Sequence, residues 1–287
     1  MKLHELYSIF HEVLQEIYPL KEERESLFFL LITNILECDK ATVRLRLINQ
    51  EILDEITYEK LMSGLADLQN NKPIQYVLGQ AHFFGLDWVV DERVLIPRPE
   101  TEELISWVIS DQASKGPLRL LDVGTGSGCI AISLKHRLPE VEIHALDILD
   151  QALEIARQNA VQHNVEVFFH QLDILQDLPE FWPSFDVIVS NPPYIKESEK
   201  VLMHPNIYQY EPAKALFVPD EAPLIFYRKI VSWAKQKLSA QGVIYFEINQ
   251  FLATETALLI EELGCIEVEI RKDIQGHPRM LKALIGC

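Results

Sequence analysis

The sequence predicts an α/β protein in which a mostly parallel β-sheet, covered by helices on both faces, follows a helical bundle. Two observations predict this arrangement. From Leu118 onward, short apolar stretches alternate with longer stretches in which apolar residues recur every three or four positions, the pattern of alternating strands and helices. Before Pro73 only the helical spacing occurs. The length of 287 residues allows one large domain or two modest ones.

Residues 1–73 are predicted to form the helical bundle as a domain of its own. In its first segment Leu6, Phe10 and Val13 recur at spacings of four and three, which places them on one face of a helix. Pro19 ends this helix, because proline has no amide hydrogen for the helical ladder. The predicted helical stretches are 6–17, 27–36, 43–53 and 58–68.

Residues 74–100 are predicted to be a linker that contains a β-hairpin. Two apolar runs lie on either side of Asp91 and Glu92, which is typical of two short strands joined by a turn. Pro99 then begins a helix, a position that proline favours.

Residues 101–287 are predicted to form the α/β domain, with a long polar loop at 191–220. The predicted strands are 118–123, 141–146, 165–169, 185–190, 242–248, 266–271 and 280–285. The predicted helices are 101–109, 129–138, 151–163, 224–238 and 253–263.

Charge and hydropathy narrow the possible partners. The net charge is −17, from 26 basic and 43 acidic residues. Binding to nucleic acid or to an anionic membrane needs clustered cations, so both are disfavoured as partners. The longest apolar run, 27–32, is too short to span a bilayer, and the first residues lack the apolar segment of a signal peptide. We therefore expect a cytoplasmic protein, and we expect it to be a monomer.

The cysteines and histidines predict neither disulfides nor a metal site. Cys38, Cys129, Cys265 and Cys287 lie far apart, and no pair has the Cys-x-x-Cys spacing. The nine histidines include no His-x-x-x-His pair. Structural and catalytic zinc sites need such spacings.

The first candidate site is the stretch Asp122-x-Gly124-x-Gly126-x-Gly128, where a predicted strand runs through glycines into a helix. Glycines allow a tight turn and let a ligand approach the backbone N–H groups, beside the positive end of the helix. A phosphate-binding P-loop is excluded, because a cysteine and an isoleucine follow Gly128 where that motif needs glycine and lysine.

Two other kinds of site resemble the same stretch in part. A hydrolase turn centred on Ser127 needs a glycine two residues before and two residues after it, and Thr125 and Cys129 stand at those positions. A dinucleotide fingerprint fits in its looser form, Gly126-x-Gly128-x-x-Ala131, and stays open. The full stretch resembles methyltransferases that bind S-adenosylmethionine.

Asp147 is the second candidate residue, at the end of the next predicted strand. An acid about twenty residues beyond the glycines is placed to accept hydrogen bonds from both ribose hydroxyls of a nucleoside cofactor. This position fits either a dinucleotide or S-adenosylmethionine.

The third candidate site is Asn191-Pro192-Pro193-Tyr194, directly after the predicted strand 185–190. Open α/β sheets bind their ligands at the carboxyl ends of the strands. The two prolines stiffen the backbone and offer carbonyl acceptors without competing N–H donors. Together with the Asn191 side chain they can accept both hydrogens of a planar –NH₂ group, on which the Tyr194 ring can pack. Such contacts draw the nitrogen lone pair towards an electrophilic methyl group.

These three motifs in this order resemble class I methyltransferases that act on planar nitrogens. Other segments are similar to the HemK/PrmC family of release-factor glutamine methyltransferases. They are 73–79, 83–86, 95–102, 210–216 and 271–279. The resemblance is strong over residues 73–287, whereas residues 1–72 match only as a helical domain of similar length.

The resemblance implies a Rossmann-like fold with a seven-stranded sheet whose last hairpin is antiparallel. It implies S-adenosylmethionine as cofactor and, as substrate, the glutamine of the Gly-Gly-Gln motif in peptide chain release factors, which the helical domain would dock. The implied catalytic residues are Asn191, Pro192 and Tyr194, and Pro193 joins them in binding the substrate. The implied cofactor-binding residues are Gly124, Thr125, Gly126, Ser127, Gly128, Asp147, Ile174 and Asn191.

The sequence departs from the family pattern in two places. Many relatives carry an aromatic residue where Ile174 stands, so packing against the adenine is expected to be aliphatic here. Many relatives have a glycine just after the acid that corresponds to Glu247, and the role of Glu247 is left open. Arg98 and Glu100 fit two interpretations equally, the wall of the methyl-donor site or a helix N-terminus with its charged neighbours.

Rival functions remain at this point. The same motifs serve methyltransferases of adenine N6 or of glutamine in another protein, such as a ribosomal protein. The negative net charge counts against nucleic acid. A non-catalytic adapter for a translation factor has no need of an amide cradle, and a nicotinamide oxidoreductase leaves the segment 191–194 unexplained.

Overall fold

The computed structural model describes residues 1–116, 118–176, 179 and 182–286, and these divide into two compact units. The first unit comprises residues 1–80 and 204–210, and the second comprises residues 81–203 and 211–287. Within the described ranges, no helix combines the length and the apolar character needed to cross a membrane.

The first unit is helical, as predicted. Its helices are α1 (Leu3–Val13), α2 (Lys21–Leu36), α3 (Lys40–Ile48), α4 (Glu55–Gln69), α5 (Ile74–Leu78) and, in the segment 204–210, the helix Pro205–Tyr210. Two of them begin at aspartate caps: the carboxylates of Asp39 and Asp54 accept the N–H groups of Thr42 and Thr57, which satisfies free donors of the first turn. Phe28 lies in the core of the unit and meets the ring of Phe10 edge-on.

The second unit begins with a hairpin and continues with alternating strands and helices. Its strands are β1 (Gln80–Phe83), β2 (Leu86–Val89), β3 (Arg119–Val123), β4 (Glu142–Asp147), β5 (Phe168–Gln171), β6 (Phe185–Ser190), β7 (Ile195–Lys196), β8 (Phe217–Val218), β9 (Leu238–Glu247), β10 (Cys265–Lys272) and β11 (Pro278–Ile285). Its helices are α6 (Pro99–Gln112), α7 (Cys129–Arg137), α8 (Asp150–Gln162), α10 (Ala213–Leu216), α11 (Ile225–Lys237) and α12 (Ala253–Glu262). The helix Pro205–Tyr210 of the first unit is numbered α9, because it precedes α10 in the chain.

Among the described residues, seven strands form one sheet in the order β10-β11-β9-β6-β3-β4-β5. The neighbours from β9 to β5 run parallel, while β11 is antiparallel to β9 and to β10. This confirms the α/β fold and the antiparallel last hairpin. Helices α11 and α12 cover the face that carries Leu121 and Ile188. Leu120 and Val187, which point the other way, are buried as well, as in a sheet covered on both sides.

The hairpin of residues 74–100 turns at a different place from the predicted one. Its turn is Phe84-Gly85, not Asp91-Glu92, and both turn residues have positive φ, 53° and 75°. A two-residue hairpin loop needs that conformation, which glycine adopts readily and phenylalanine rarely. Residues 74–78 are helical and belong to the first unit, so the predicted linker range does not form one element.

The predicted loop at 191–220 contains short elements. Strands β7 and β8 pair in parallel, and α9, α10 and a 3₁₀ turn at Glu197–Leu202 lie between them. The thiols of Cys38, Cys129 and Cys265 are free, while Cys287 lies outside the described residues.

Candidate active site

A cavity of about 300 Å³ opens in the second unit at the carboxyl ends of β3, β4 and β6. The chain leaves β3 towards β4 on one side, while β6 lies on the other side of β3. At such a reversal of strand order the connections diverge and leave a crevice, where open α/β sheets bind ligands. The lining includes Gly124, Gly126, Asp147, Ile174 and Asn191.

The backbone of the glycine turn after β3 lines one side of the cavity. Gly124, Gly126 and Gly128 have φ values of 76°, 54° and 83°, which favour glycine. A β-carbon added at Gly124 or Gly126 would meet no atom within 4 Å, so the space above these two residues is free for a ligand. At Gly128 a β-carbon would lie 2.7 Å from Cδ1 of Ile132, so this glycine serves close packing of helix α7.

The predicted cofactor residues between these glycines face inward. Thr125 and Ser127 are buried, and among the described residues neither belongs to the cavity lining. The Thr125 hydroxyl donates to Oδ2 of Asp122 at 2.6 Å. The Ala131 N–H donates to the same oxygen at 3.2 Å. These contacts stabilise the shape of the turn.

Asp122 lies wholly buried beneath the turn, and burial raises its pKa to about 7, because a charged carboxylate is poorly solvated there. The N–H and hydroxyl donors oppose this rise, and the nearby charge of Asp147 adds to it. Since the ordinary aspartate pKa is about 3.9, the folded protein binds this proton more tightly than the unfolded chain does.

We expect this difference to appear as pH-dependent stability. As the pH falls through about 7 towards 4, the folded state gains a proton that the unfolded state lacks, so Asp122 stabilises the fold increasingly. Between about pH 8.5 and about pH 5.5, the free energy of unfolding of the parent should rise by roughly 2 kcal/mol relative to Asp122→Asn. Denaturant unfolding of both proteins at the two pH values measures this, and a difference that does not change with pH would contradict it.

Asp147 ends β4 and contacts the glycine turn directly. The Gly126 N–H donates to its Oδ2 at 2.9 Å, and the Leu149 N–H donates to its Oδ1 at 3.0 Å. Burial raises its pKa, against the effect of these N–H donors. Each carboxylate oxygen keeps further acceptor capacity, because it has two lone pairs. The predicted acceptor of ribose hydroxyls thus lines the cavity.

The wall beyond Asp147 is aliphatic. Ile174 is buried at the cavity, with Leu172 and Leu175 beside it. The Leu175 N–H donates to Oδ1 of Asp173 at 2.9 Å, which closes the turn that presents these side chains. An aliphatic wall offers an apolar surface against which a heterocyclic base can pack.

Asn191, Pro192 and Pro193 line the cavity on the side of β6. The Ser190 hydroxyl donates to the carbonyl of Val123 at 2.7 Å, which joins the ends of β6 and β3. The structure therefore brings this predicted segment to the same cavity as the glycine turn and Asp147, which lie 44 or more residues earlier in the chain.

Tyr194, the last residue of the motif, packs against the hydrophobic core of the second unit. Among the described residues it does not belong to the cavity lining, and its hydroxyl donates to Oε1 of Glu247 at 3.0 Å. The Asn249 side-chain nitrogen donates to the Tyr194 carbonyl at 3.1 Å. Burial, then the charge of Glu247, raises the pKa of Tyr194, so its hydroxyl stays protonated.

Arg98 and Glu100, whose roles the sequence leaves open, lie just before and in the first turn of α6, and neither belongs to the described cavity lining. The Arg98 guanidinium donates to Oε1 of the buried Glu211 at 2.5 Å. Glu100 is half-buried at the start of α6. This arrangement supports a structural role for Arg98, because it neutralises a buried carboxylate.

Sequence reasoning missed two basic residues of the lining, Arg93 and Lys214. The Arg93 guanidinium donates to Asp91 at 2.7 Å and to Glu154 at 2.9 Å. Lys214 lies exposed in α10. It occupies a position of the segment 210–216 at which the family resemblance specifies no residue, so no motif singled it out.

Comparison with known proteins finds methyltransferases, by sequence and by fold. A family model described as the methyltransferase small domain matches residues 104–209. A release factor glutamine methyltransferase of Flavobacterium psychrophilum is 44% identical over 95% of this chain and 95% of its own length. The enzyme of the same name from Bacteroides thetaiotaomicron is 42% identical over 94% of this chain and 95% of its own length.

Two solved structures are similar in fold. A methyltransferase from Pyrococcus furiosus is 20% identical, with a TM-score of 0.53, over 77% of this chain and 98% of that chain. A 16S rRNA methyltransferase from T. thermophilus, solved with AdoMet and guanosine, is 18% identical, with a TM-score of 0.51, over 72% of this chain and 49% of that chain. Both have the class I methyltransferase fold described above. The sequence identity to the full-length relatives shows that this chain belongs to the release factor glutamine methyltransferase family.

Proposed function

We propose that this protein transfers a methyl group from S-adenosylmethionine to the side-chain amide nitrogen of the glutamine in the Gly-Gly-Gln motif of peptide chain release factors. One observation carries the proposal: Asn191, Pro192 and Pro193 line the same cavity as the glycine turn and Asp147. An acceptor set for a planar amide and a pocket for a nucleoside cofactor therefore share one space.

The residues present fit S-adenosylmethionine. The open space above Gly124 and Gly126 admits a ligand close to the backbone, Asp147 offers carboxylate oxygens for the ribose, and Ile174 offers an aliphatic surface for the adenine. When bound, the cofactor supplies an electrophilic methyl group on its sulfonium. The turn itself keeps its shape through Thr125, Ser127 and Gly128, which do not belong to the described cavity lining.

Asn191 and Pro192 would hold the glutamine amide. An amide nitrogen is a weak nucleophile, because its lone pair is shared with the carbonyl. The Asn191 side-chain oxygen and the Pro192 carbonyl can each accept one amide hydrogen. Acceptors fixed in these positions favour lone-pair density on nitrogen and stabilise the positive charge that grows there during methylation. Tyr194 lies outside the described cavity lining and its hydroxyl donates to Glu247, so in this proposal it supports the segment 191–194 and does not pack on the amide.

The direct test is a methylation assay. The purified protein is incubated with a release factor and a donor that carries a labelled methyl group, and the modified residue is mapped by mass spectrometry. Label on the Gly-Gly-Gln glutamine supports the proposal. A second reaction uses a release factor in which that glutamine is replaced by alanine, and label on this variant would contradict the proposed substrate.

Translation factors work in the cytoplasm, where we propose that this protein acts as a monomer, without contacts to nucleic acid or membrane.

The first unit is proposed to dock the protein substrate. If residues 1–80 are deleted, donor binding should persist, because every cavity-lining residue follows residue 80. Methylation of a full-length release factor should fall by about tenfold or more, because docking raises the local concentration of the glutamine. A short peptide with Gly-Gly-Gln should lose much less.

Initial rates with both substrates, next to calorimetry with the donor, test this docking role. In the deletion variant the Tyr210 hydroxyl loses its acceptor, the Asn70 carbonyl at 2.8 Å. Circular dichroism therefore checks that the remaining unit is folded. Equal loss on peptide and full-length factor would show that the helices serve the reaction site and not docking.

A further inference from the structure

A buried chain of hydrogen bonds runs from Asn191 into the protein, away from the cavity. The Asn191 side-chain nitrogen donates to Oγ1 of Thr101 at 3.3 Å, and the Thr101 hydroxyl donates to Oε2 of Glu247 at 2.6 Å. Thr101 and Glu247 are 2% and 1% exposed, so water does not compete for these groups. The three residues come from the first turn of α6, the end of β6 and the end of β9.

The chain has a direction that follows from the number of hydrogens. A hydroxyl has one hydrogen, and an ionised carboxylate can only accept. The Thr101 hydrogen therefore points to Glu247, and the Thr101 oxygen is left as an acceptor. Only the nitrogen end of the Asn191 amide can donate to that oxygen. The oxygen end of Asn191 is then the end that is free to accept from a ligand.

We propose that Thr101 and Glu247 are positioning residues that keep the side-chain oxygen of Asn191 turned towards the substrate amide. This inference rests on the proposed function, in which Asn191 accepts a hydrogen from glutamine. If the chain were reversed, Asn191 would present its own –NH₂ to the –NH₂ of the substrate. Two donors facing each other leave both groups unsatisfied, which is costly away from water.

The direction of the chain requires Glu247 to be ionised, and the groups around it act on that charge in both directions. Burial and the nearby charge of Glu100 raise the pKa of Glu247, while the donors Thr101 and Tyr194 and the charge of Arg279 lower it. Arg279 is itself held by Asp273, whose Oδ2 accepts from its Nε at 3.2 Å. A buried carboxylate is expensive, and an apolar residue of similar volume often serves stability equally well. In this proposal the role of the Glu247 carboxylate is to orient the Thr101 hydroxyl.

Three substitutions separate orientation from packing. Thr101→Val keeps the shape of the side chain and removes the hydroxyl. Thr101→Ser keeps the hydroxyl and removes a methyl group. Glu247→Gln keeps the volume and can offer an N–H to Thr101, which reverses the chain. Tyr227→Phe is the matched control, because the Tyr227 hydroxyl donates to the backbone carbonyl of Glu247 at 3.0 Å and takes no part in the chain.

The measurement is the single-turnover rate of release-factor methylation at saturating donor, together with KM, donor affinity and the free energy of unfolding. We expect the rate to fall by about tenfold or more in Thr101→Val and Glu247→Gln, because a misaligned catalytic group is costly. Donor affinity and KM should stay within about twofold of the parent, as for an interaction that acts mainly in the transition state. Thr101→Ser should recover most of the rate, and Tyr227→Phe should lose stability but keep the rate.

Three results overturn the inference or its basis. A Thr101→Val rate within about twofold of the parent, with Asn191→Ala inactive, overturns the positioning role and leaves the proposed function standing. A Thr101→Ser rate as low as that of Thr101→Val overturns it also, because the hydroxyl would then not be the group that matters. An active Asn191→Ala contradicts the proposed function itself. If Glu247→Gln does not fold, the two Thr101 variants decide alone.

Discussion

Replacing Asn191 by alanine is expected to lower the single-turnover rate of methyl transfer by on the order of 10²-fold or more, the usual cost of losing one contact to developing charge. The Asn191 side chain lines the cavity, and its nitrogen end is held by Thr101. Alanine removes the acceptor oxygen and leaves the backbone of the segment in place. Donor affinity should stay near that of the parent, because the glycine turn and Asp147 are untouched.

Rapid-quench assays with a release factor, next to calorimetry with the donor, measure the two quantities separately. A parent-like rate at saturating donor would remove Asn191 from the reaction. A loss of donor affinity that accounts for the whole loss of rate would move its role from the substrate to the cofactor.

Asp147→Ala, unlike Asn191→Ala, is expected to change the affinity for the donor more than the rate of methyl transfer. Loss of hydrogen bonds to a charged group should weaken donor affinity by about 1.5–3 kcal/mol, or roughly 10- to 150-fold. The carboxylate also accepts the N–H of Gly126, so the variant loosens the turn on which the ligand would lie. The rate at saturating donor should change much less than the affinity does.

Isothermal titration with S-adenosylmethionine checks this prediction. Asp150→Ala is the matched control: Asp150 is an exposed acid nearby in the chain that pairs with Arg157 at 3.5 Å and lies outside the described cavity lining. Unchanged affinity in Asp147→Ala, or an equal loss in both variants, would contradict the assignment to the ribose.

Much of the fold could be predicted because local patterns and architecture agree. Strand β6 was predicted at its observed bounds, 185–190, since its apolar run ends at a motif that cannot continue a strand. The hairpin turn at Phe84 was missed, because a phenylalanine with positive φ goes against the local preference and is held by its neighbourhood. The Phe84 N–H donates to Oε1 of Glu102 at 2.7 Å, a contact 18 residues away in sequence.

The site could be predicted where one motif carries its own chemistry. The glycine turn and Asn191 each follow a strand and Asp147 ends one, and parallel strands bring their carboxyl ends to one edge. The link from Thr101 to Glu247 joins residues 146 apart, and no spacing rule reveals such a contact. The Tyr194 hydroxyl donates to that same buried acid, and its place outside the described cavity lining could not be predicted from the motif alone.

The antiparallel strand β11 has a consequence for the order in which the site is completed during synthesis. Met280 of β11 lies opposite Glu247, and the Ile248 N–H donates to the Arg279 carbonyl at 2.8 Å. A growing chain emerges from its amino end, so the strands that form the cavity are available before β11. Until β11 pairs with β9, Glu247 lacks both its neighbour Met280 in the sheet and the nearby positive charge of Arg279. The nascent protein is therefore expected to form a donor-binding pocket before it gains a correctly oriented Asn191.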